Sequence, residues 1–123
     1  MKYMILLHSN PDFGQRWEAL TPDQRARFGK DHLALTRELA ESGELVVSEG
    51  LADPSLARWV STAGDRPVVA DGPFAELKEH LAGFYLVDVD SAARAEEIGA
   101  RVPDAVWGLV EVRPVLDMSG WDV

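Results

Sequence analysis

The sequence predicts an α+β fold, an antiparallel sheet carrying its helices on one face. Three observations point there. A strand–helix–strand pattern occurs twice, a hairpin pattern separates the two occurrences, and the first and last strands carry apolar residues on both faces.

The elements follow in order. Lys2 to His8 is a continuous apolar run of strand length, as a strand covered on both sides shows. Ser9 to Leu20 reads as a long connection, of the length common in binding loops. Thr21-Pro22-Asp23-Gln24 opens a helix: Thr caps, Pro suits the first helical position, and Gln completes a capping box. That helix should run to about Ser42 and stop at Gly43, with a second strand over Leu45 to Ser48. Ala57 to Thr62 and Pro67 to Ala70 flank Ala63-Gly64-Asp65-Arg66 as a hairpin. Ala82 to Val89 is a strand, Ser91 to Arg101 a helix, and Val106 to Val115 the closing strand. The order β-α-β, hairpin, β-α-β is that of a ferredoxin-like arrangement. One sheet face is then left uncovered. Apolar residues on it call for a partner sheet, most simply from a second copy, so a homodimer is expected.

Composition narrows the function classes. The chain has 123 residues, 46% of them hydrophobic, which suits one globular domain. With 12 Lys+Arg against 21 Asp+Glu its formal net charge is −9, which disfavours nucleic acid and anionic membrane surfaces. There is no cysteine, which removes disulfides, thiolate metal sites and a cysteine nucleophile. The longest apolar run, Tyr3 to Leu7, is too short for a signal core or a membrane span, so a cytoplasmic protein is expected. Phosphate-binding glycine loops, a Gly-x-Ser-x-Gly elbow and His-x-x-x-His spacing are missing from the sequence, so neither cofactor nor metal is expected.

Chemistry is therefore sought among the histidines and carboxylates. Phe28, His32, Leu35 and Leu39 fall on one helical stripe facing the sheet. His32 there reads either as a core histidine bonded to a backbone carbonyl or as a general acid/base in a pocket between helix and sheet. His8 ends the first strand beside the long connection, and Trp17 within that connection either stacks on a ligand or covers the sheet edge. His80 lies in a charged stretch that reads as a solvated face. Asp71-Gly72-Pro73-Phe74 is a rigid turn. Its carboxylate either bonds its own backbone or is presented into a cavity, where it would orient His32.

These segments resemble the YCII-related family, and within it the subgroup named for an Asp-Gly-Pro-Phe motif. The matching stretches are Met1-Lys2-Tyr3-Met4-Ile5-Leu6-Leu7, Trp17-x-x-Leu20-Thr21-Pro22, Asp71-Gly72-Pro73-Phe74-Ala75-Glu76-x-Lys78-Glu79-x-x-x-Gly83-Phe84-Tyr85-Leu86 and Val110-Glu111-Val112-Arg113-Pro114-Val115. The resemblance implies a family domain over residues 1–116, followed by a tail over 117–123 with Trp121 in it. It also implies a ferredoxin-like fold dimerising through its sheets into an α/β barrel. The wider family is thought to hold a His–Asp pair in a cleft. By that resemblance His32 and Asp71 are the catalytic candidates, and Asp104, in a Pro-Asp that reverses the relatives' Asp-Pro, is an alternative partner. His8, Trp17, Phe74 and Tyr85 are the candidate binding residues. Two functions are expected from this. One is a cofactor-independent enzyme of lyase or isomerase type acting on a small organic molecule in a cleft of a homodimer. The other is a non-catalytic binding or regulatory accessory, linked to transcriptional control through a protein partner.

Overall fold

A computed structural model of the protein describes residues 1–72 and 79–120. The strands are β1 (Lys2–Ser9), β2 (Leu45–Gly50), β3 (Arg58–Ala63), β4 (Arg66–Asp71), β5 (His80–Asp88) and β6 (Val110–Pro114). The helices are α1 (Pro11–Ala19), α2 (Pro22–Ser42) and α3 (Ala92–Arg101), with single 3₁₀ turns at Pro54–Leu56 and Pro103–Trp107. Strands β2, β5, β1 and β6 lie side by side in that order, each antiparallel to its neighbours. This is the ferredoxin-like α+β arrangement, with β3 and β4 added as a separate two-stranded sheet.

Local chemistry sets the helix limits. Thr21 and Gln24 form the expected capping box, each side chain bonding the other residue's backbone N–H. Gly43 ends α2 at φ +80°, a conformation that favours glycine. Asn10 caps α1 by accepting from the Phe13 N–H, and Ser91 caps α3 through the Arg94 N–H.

The core lies between the helices and one sheet face. Tyr3, Ile5 and Leu7 of β1 meet Tyr85 and Val87 of β5, Leu35 and Leu39 of α2, and Ala95 and Ile98 of α3. Ile5, Leu39, Val87 and Ile98 are fully enclosed. Removing a side chain of that size from water contributes about 2 kcal/mol. Helix α3 sits close on β6, because a Cβ at Gly99 would lie 2.9 Å from the Val112 Cγ2. Glu44, just before β2, and Arg94 at the start of α3 join the two halves through a two-pronged ion pair, both contacts at 2.8 Å.

The opposite sheet face is less covered. Met4 and Leu6 of β1 and Phe84 and Leu86 of β5 alternate with the core residues and are partly exposed there. Every residue of β3 and β4 is exposed.

Three expectations are corrected. The connection over Ser9 to Leu20 is helical over Pro11–Ala19, because Asn10 caps it and Pro11 starts it. The closing strand begins at Val110 rather than Val106, since Pro103 opens a 3₁₀ turn that Gly108 ends at φ +69°. The Asp71 carboxylate does not reach His32 within the chain. It ends β4 on the exposed hairpin and pairs with Arg58 of β3.

Candidate functional site

A cavity of about 480 Å³ opens between α1, α2 and the β2–β5 side of the sheet. Phe13 and Trp17 of α1, Phe28, His32 and Thr36 of α2, Leu7 of β1, Tyr85 of β5 and Asp104 of the second 3₁₀ turn line it. Ser48, Glu49 and Gly50 of β2, with Ala82 and Phe84 of β5, complete the lining. The volume suits a small organic molecule.

His32 is held at both ends. Its Nε2 lies 2.7 Å from the Asp104 Oδ1, and its Nδ1 2.6 Å from the Tyr85 hydroxyl. Each partner is positioned by the fold. Position 32 lies one turn before Leu35 and two before Leu39, so the helix that buries those leucines turns the imidazole toward the sheet. Tyr85 shares the helix-facing side of β5 with Gly83 and Val87, and its ring stacks near-parallel to the imidazole, 10° between planes. Pro103 starts the 3₁₀ turn that carries Asp104 beneath α2.

The Asp104 side chain is 6% exposed and the His32 side chain 23%. A buried carboxylate requires hydrogen-bond donors, and the imidazole N–H supplies one. An ionised Asp104 only accepts, so the hydrogen-bond network assigns the ring proton of neutral His32 to Nε2 and leaves Nδ1 to accept from Tyr85. Burial holds the Tyr85 phenol above its usual range; the neighbouring Thr36 hydroxyl opposes this, and the Asp104 charge adds to the rise. The phenol is therefore protonated at rest.

Aromatic packing fixes the walls. Phe28 meets the His32 ring edge-on at 4.9 Å between centroids, Trp17 at 5.2 Å, and stacks on Trp107 at 5.5 Å. Phe13 meets Trp107 edge-on at 5.0 Å, which ties α1 to the turn carrying Asp104. Among the described residues the lining contains no Lys or Arg, so the site offers hydrogen bonds and apolar surface but no fixed positive charge. No group of three or more His, Cys, Asp or Glu side chains placed to hold a metal occurs among the described residues. Nor is any described helix long and apolar enough to cross a membrane.

Of the residues expected from sequence, His32, Trp17 and Tyr85 share this cavity. His8 does not line it: its Nε2 sits 2.8 Å from the Glu111 Oε1 of β6. Phe74 lies outside the described residues, as does Trp121. Of the two acidic partners left open for His32, Asp104 meets it within the chain and Asp71 does not, because β4 belongs to the separate hairpin while the Pro103 turn packs under α2. Phe13, Phe28 and Thr36 were not singled out as site residues. A phenol at a core-facing position of β5 signals a required polar partner. Asp104 gives a similar signal, as the lone carboxylate in Val102-Pro103-Asp104-Ala105-Val106-Trp107.

Comparison with known proteins adds the lineage. The model of the YCII-related domain matches residues 1–119. A protein of Rhizobium meliloti (strain 1021), named only as uncharacterized, is 31% identical over 117 residues, covering 94% of this chain and 92% of the relative. With a family match over nearly its whole length, the chain belongs to the YCII-related family.

Proposed function

We propose that this protein is a small acid–base enzyme that moves a proton on a neutral organic molecule, in lyase- or isomerase-type chemistry. One observation carries the reading: His32 is gripped at both ring nitrogens, by buried Asp104 and by Tyr85, on the wall of an aromatic-lined cavity. A purely structural core histidine would need neither the cavity nor an ionisable partner at each end. In this reading Asp104 holds the imidazole's orientation and stabilises the imidazolium as His32 takes up a proton. The described lining carries the carboxylates of Glu49 and Asp104 and no Lys or Arg, which disfavours an anionic substrate, and Phe13, Trp17 and Phe28 favour a flat or cyclic one.

The working unit in this proposal is a homodimer. Its support is the sheet face carrying Met4, Leu6, Phe84 and Leu86, which two copies would cover face to face. The Asp-Gly-Pro-Phe stretch at Asp71 to Phe74 supports placing the chain in the subgroup named for that motif.

Solvent-deuterium exchange tests the chemistry. A panel of neutral cyclic ketones and lactones is incubated in heavy water and followed by proton NMR. The wild-type protein is expected to accelerate exchange at an acidic C–H of at least one compound, and His32→Gln to lose about 100-fold or more of that rate. Exchange at the buffer rate with every compound, or an undiminished rate in the folded variant, overturns the proposal.

A further inference from the structure

We infer that the Tyr85 hydroxyl, not the His32 ring, is the group that touches the reacting proton, with His32 and Asp104 forming the relay behind it. The inference rests on the acid–base reading above and deepens it. An imidazole has two nitrogens, and both are in use: Nε2 faces the Asp104 Oδ1 at 2.7 Å and Nδ1 faces the Tyr85 hydroxyl at 2.6 Å. No lone pair or N–H of the ring is left for a ligand. The phenol oxygen, in contrast, still has acceptor capacity after donating to Nδ1, and Tyr85 lines the same cavity. Burial holds that phenol above its usual range, and Thr36, which also lines the cavity, only partly opposes the rise, so the phenol needs the imidazole beside it to take its proton. The chain Asp104–His32–Tyr85 thus has the logic of a carboxylate and imidazole activating a hydroxyl.

The step balances. The ligand's acidic C–H bond breaks and its hydrogen forms a new O–H bond on Tyr85 as Tyr85's own proton passes to His32 Nδ1. The C–H electron pair moves into the adjacent carbonyl, giving an enolate whose charge is matched by the imidazolium beside Asp104. In a β,γ-unsaturated carbonyl compound this enolate is a dienolate, and return of the proton to its γ carbon leaves the conjugated isomer, with no external oxidant or reductant. The ligand class is a neutral, flat carbonyl compound or its enol, for which a phenol is the stable mimic.

Para-nitrophenol and nitrobenzene serve as probes of matched size, only the first carrying a hydroxyl. Both are titrated by absorbance and calorimetry into wild type, Tyr85→Phe and His32→Gln. Wild type is expected to bind both, and Tyr85→Phe to weaken para-nitrophenol about 10-fold while leaving nitrobenzene within about 2-fold. If Tyr85→Phe leaves para-nitrophenol binding unchanged while His32→Gln weakens it, the ring faces the ligand. The inference then falls, but the acid–base reading stands. Equal weakening of both probes by Tyr85→Phe assigns the phenol a structural role and also overturns the inference. If wild type binds neither probe, both readings fall. Fluorine NMR of meta-fluorotyrosine-labelled protein gives an independent readout should the Phe variant not fold. Of the two tyrosines, Tyr3 and Tyr85, only the Tyr85 signal should move when para-nitrophenol is added, and a static signal contradicts the inference.

Discussion

Replacing His32 with alanine removes the partner of a carboxylate that the fold has taken out of water. The Asp104 side chain is 6% exposed, and His32 is its one side-chain hydrogen-bond partner among the described residues. Leaving a buried polar group without its hydrogen-bond partner costs about 1–3 kcal/mol, and more for a charged group such as this carboxylate. The cavity beside it admits water, which offsets part of this, while loss of ring contacts with Phe28 and Tyr85 adds to it. The expected cost of His32→Ala is about 3 kcal/mol. Asp104→Ala leaves only an imidazole N–H unpaired, next to an open cavity, and should cost about 1–2 kcal/mol. In the double variant no charge is stranded, so its cost should fall short of the sum by about 2 kcal/mol. Urea unfolding of the four proteins, compared at matched m-values, measures each term. A domain with about 5–15 kcal/mol of total stability remains folded throughout. Simple additivity, or a His32→Ala cost under about 0.5 kcal/mol, refutes the claim that Asp104 depends on His32.

Three further outcomes follow from the packing. The Arg94 guanidinium holds Glu44 down to about 2 from its usual 4.5, with the Ser42 hydroxyl helping. A depressed carboxylate stabilises the fold above its unfolded value and loses that contribution as pH falls toward 2. With Arg94 one-third exposed, solvent screening leaves only part of that contribution, and Glu44→Gln should flatten the acid limb of the stability curve. An unchanged acid limb would show that the pair contributes nothing. Gly99→Ala places a Cβ 2.9 Å from the Val112 Cγ2 and should cost about 1–2 kcal/mol in urea unfolding, with Val112→Ala relieving it in the double variant; additive losses would contradict that close approach. Leu6→Glu puts a charge on the open sheet face, so under the proposed homodimer sedimentation should show wild type as a pair and the variant as a single chain. A wild-type mass of one chain, or an unchanged pair in the variant, removes that face as the interface.

Much of the fold was legible because its signals are local. The apolar run from Tyr3 to Leu7, the capping box at Thr21 and the glycine at 43 each act within a few residues, and each sits where patterning places it. Helix α1 was obscured because Pro11, Gly14 and the polar residues between its aromatics read as loop, although Asn10 followed by proline is a start signal. The start of β6 was misplaced because Val106 and Trp107 are apolar for a different reason. Val106 stays 80% exposed, while Trp107 packs on Phe13 and Phe28.

The site was legible from one side only. Helical periodicity turns His32 toward the sheet, but the identity of its acidic partner depends on which loop the tertiary fold brings beneath α2. Spacing along the chain carries no such information: Asp104 is 72 positions from His32 and Tyr85 is 53. The rigid Asp-Gly-Pro turn drew attention to Asp71, whereas burial selects Asp104. The Asp71 side chain is 82% exposed and already faces Arg58.

Nitrogen NMR of ring-labelled histidine, followed across a pH series, is the most direct test of the relay. Neutral His32 should appear as a single tautomer, with its proton on Nε2 and Nδ1 unprotonated, and the Nδ1 signal should move in Tyr85→Phe. A proton resident on Nδ1 of the neutral ring, or a ring averaging freely between tautomers, would contradict an Asp104–His32–Tyr85 chain.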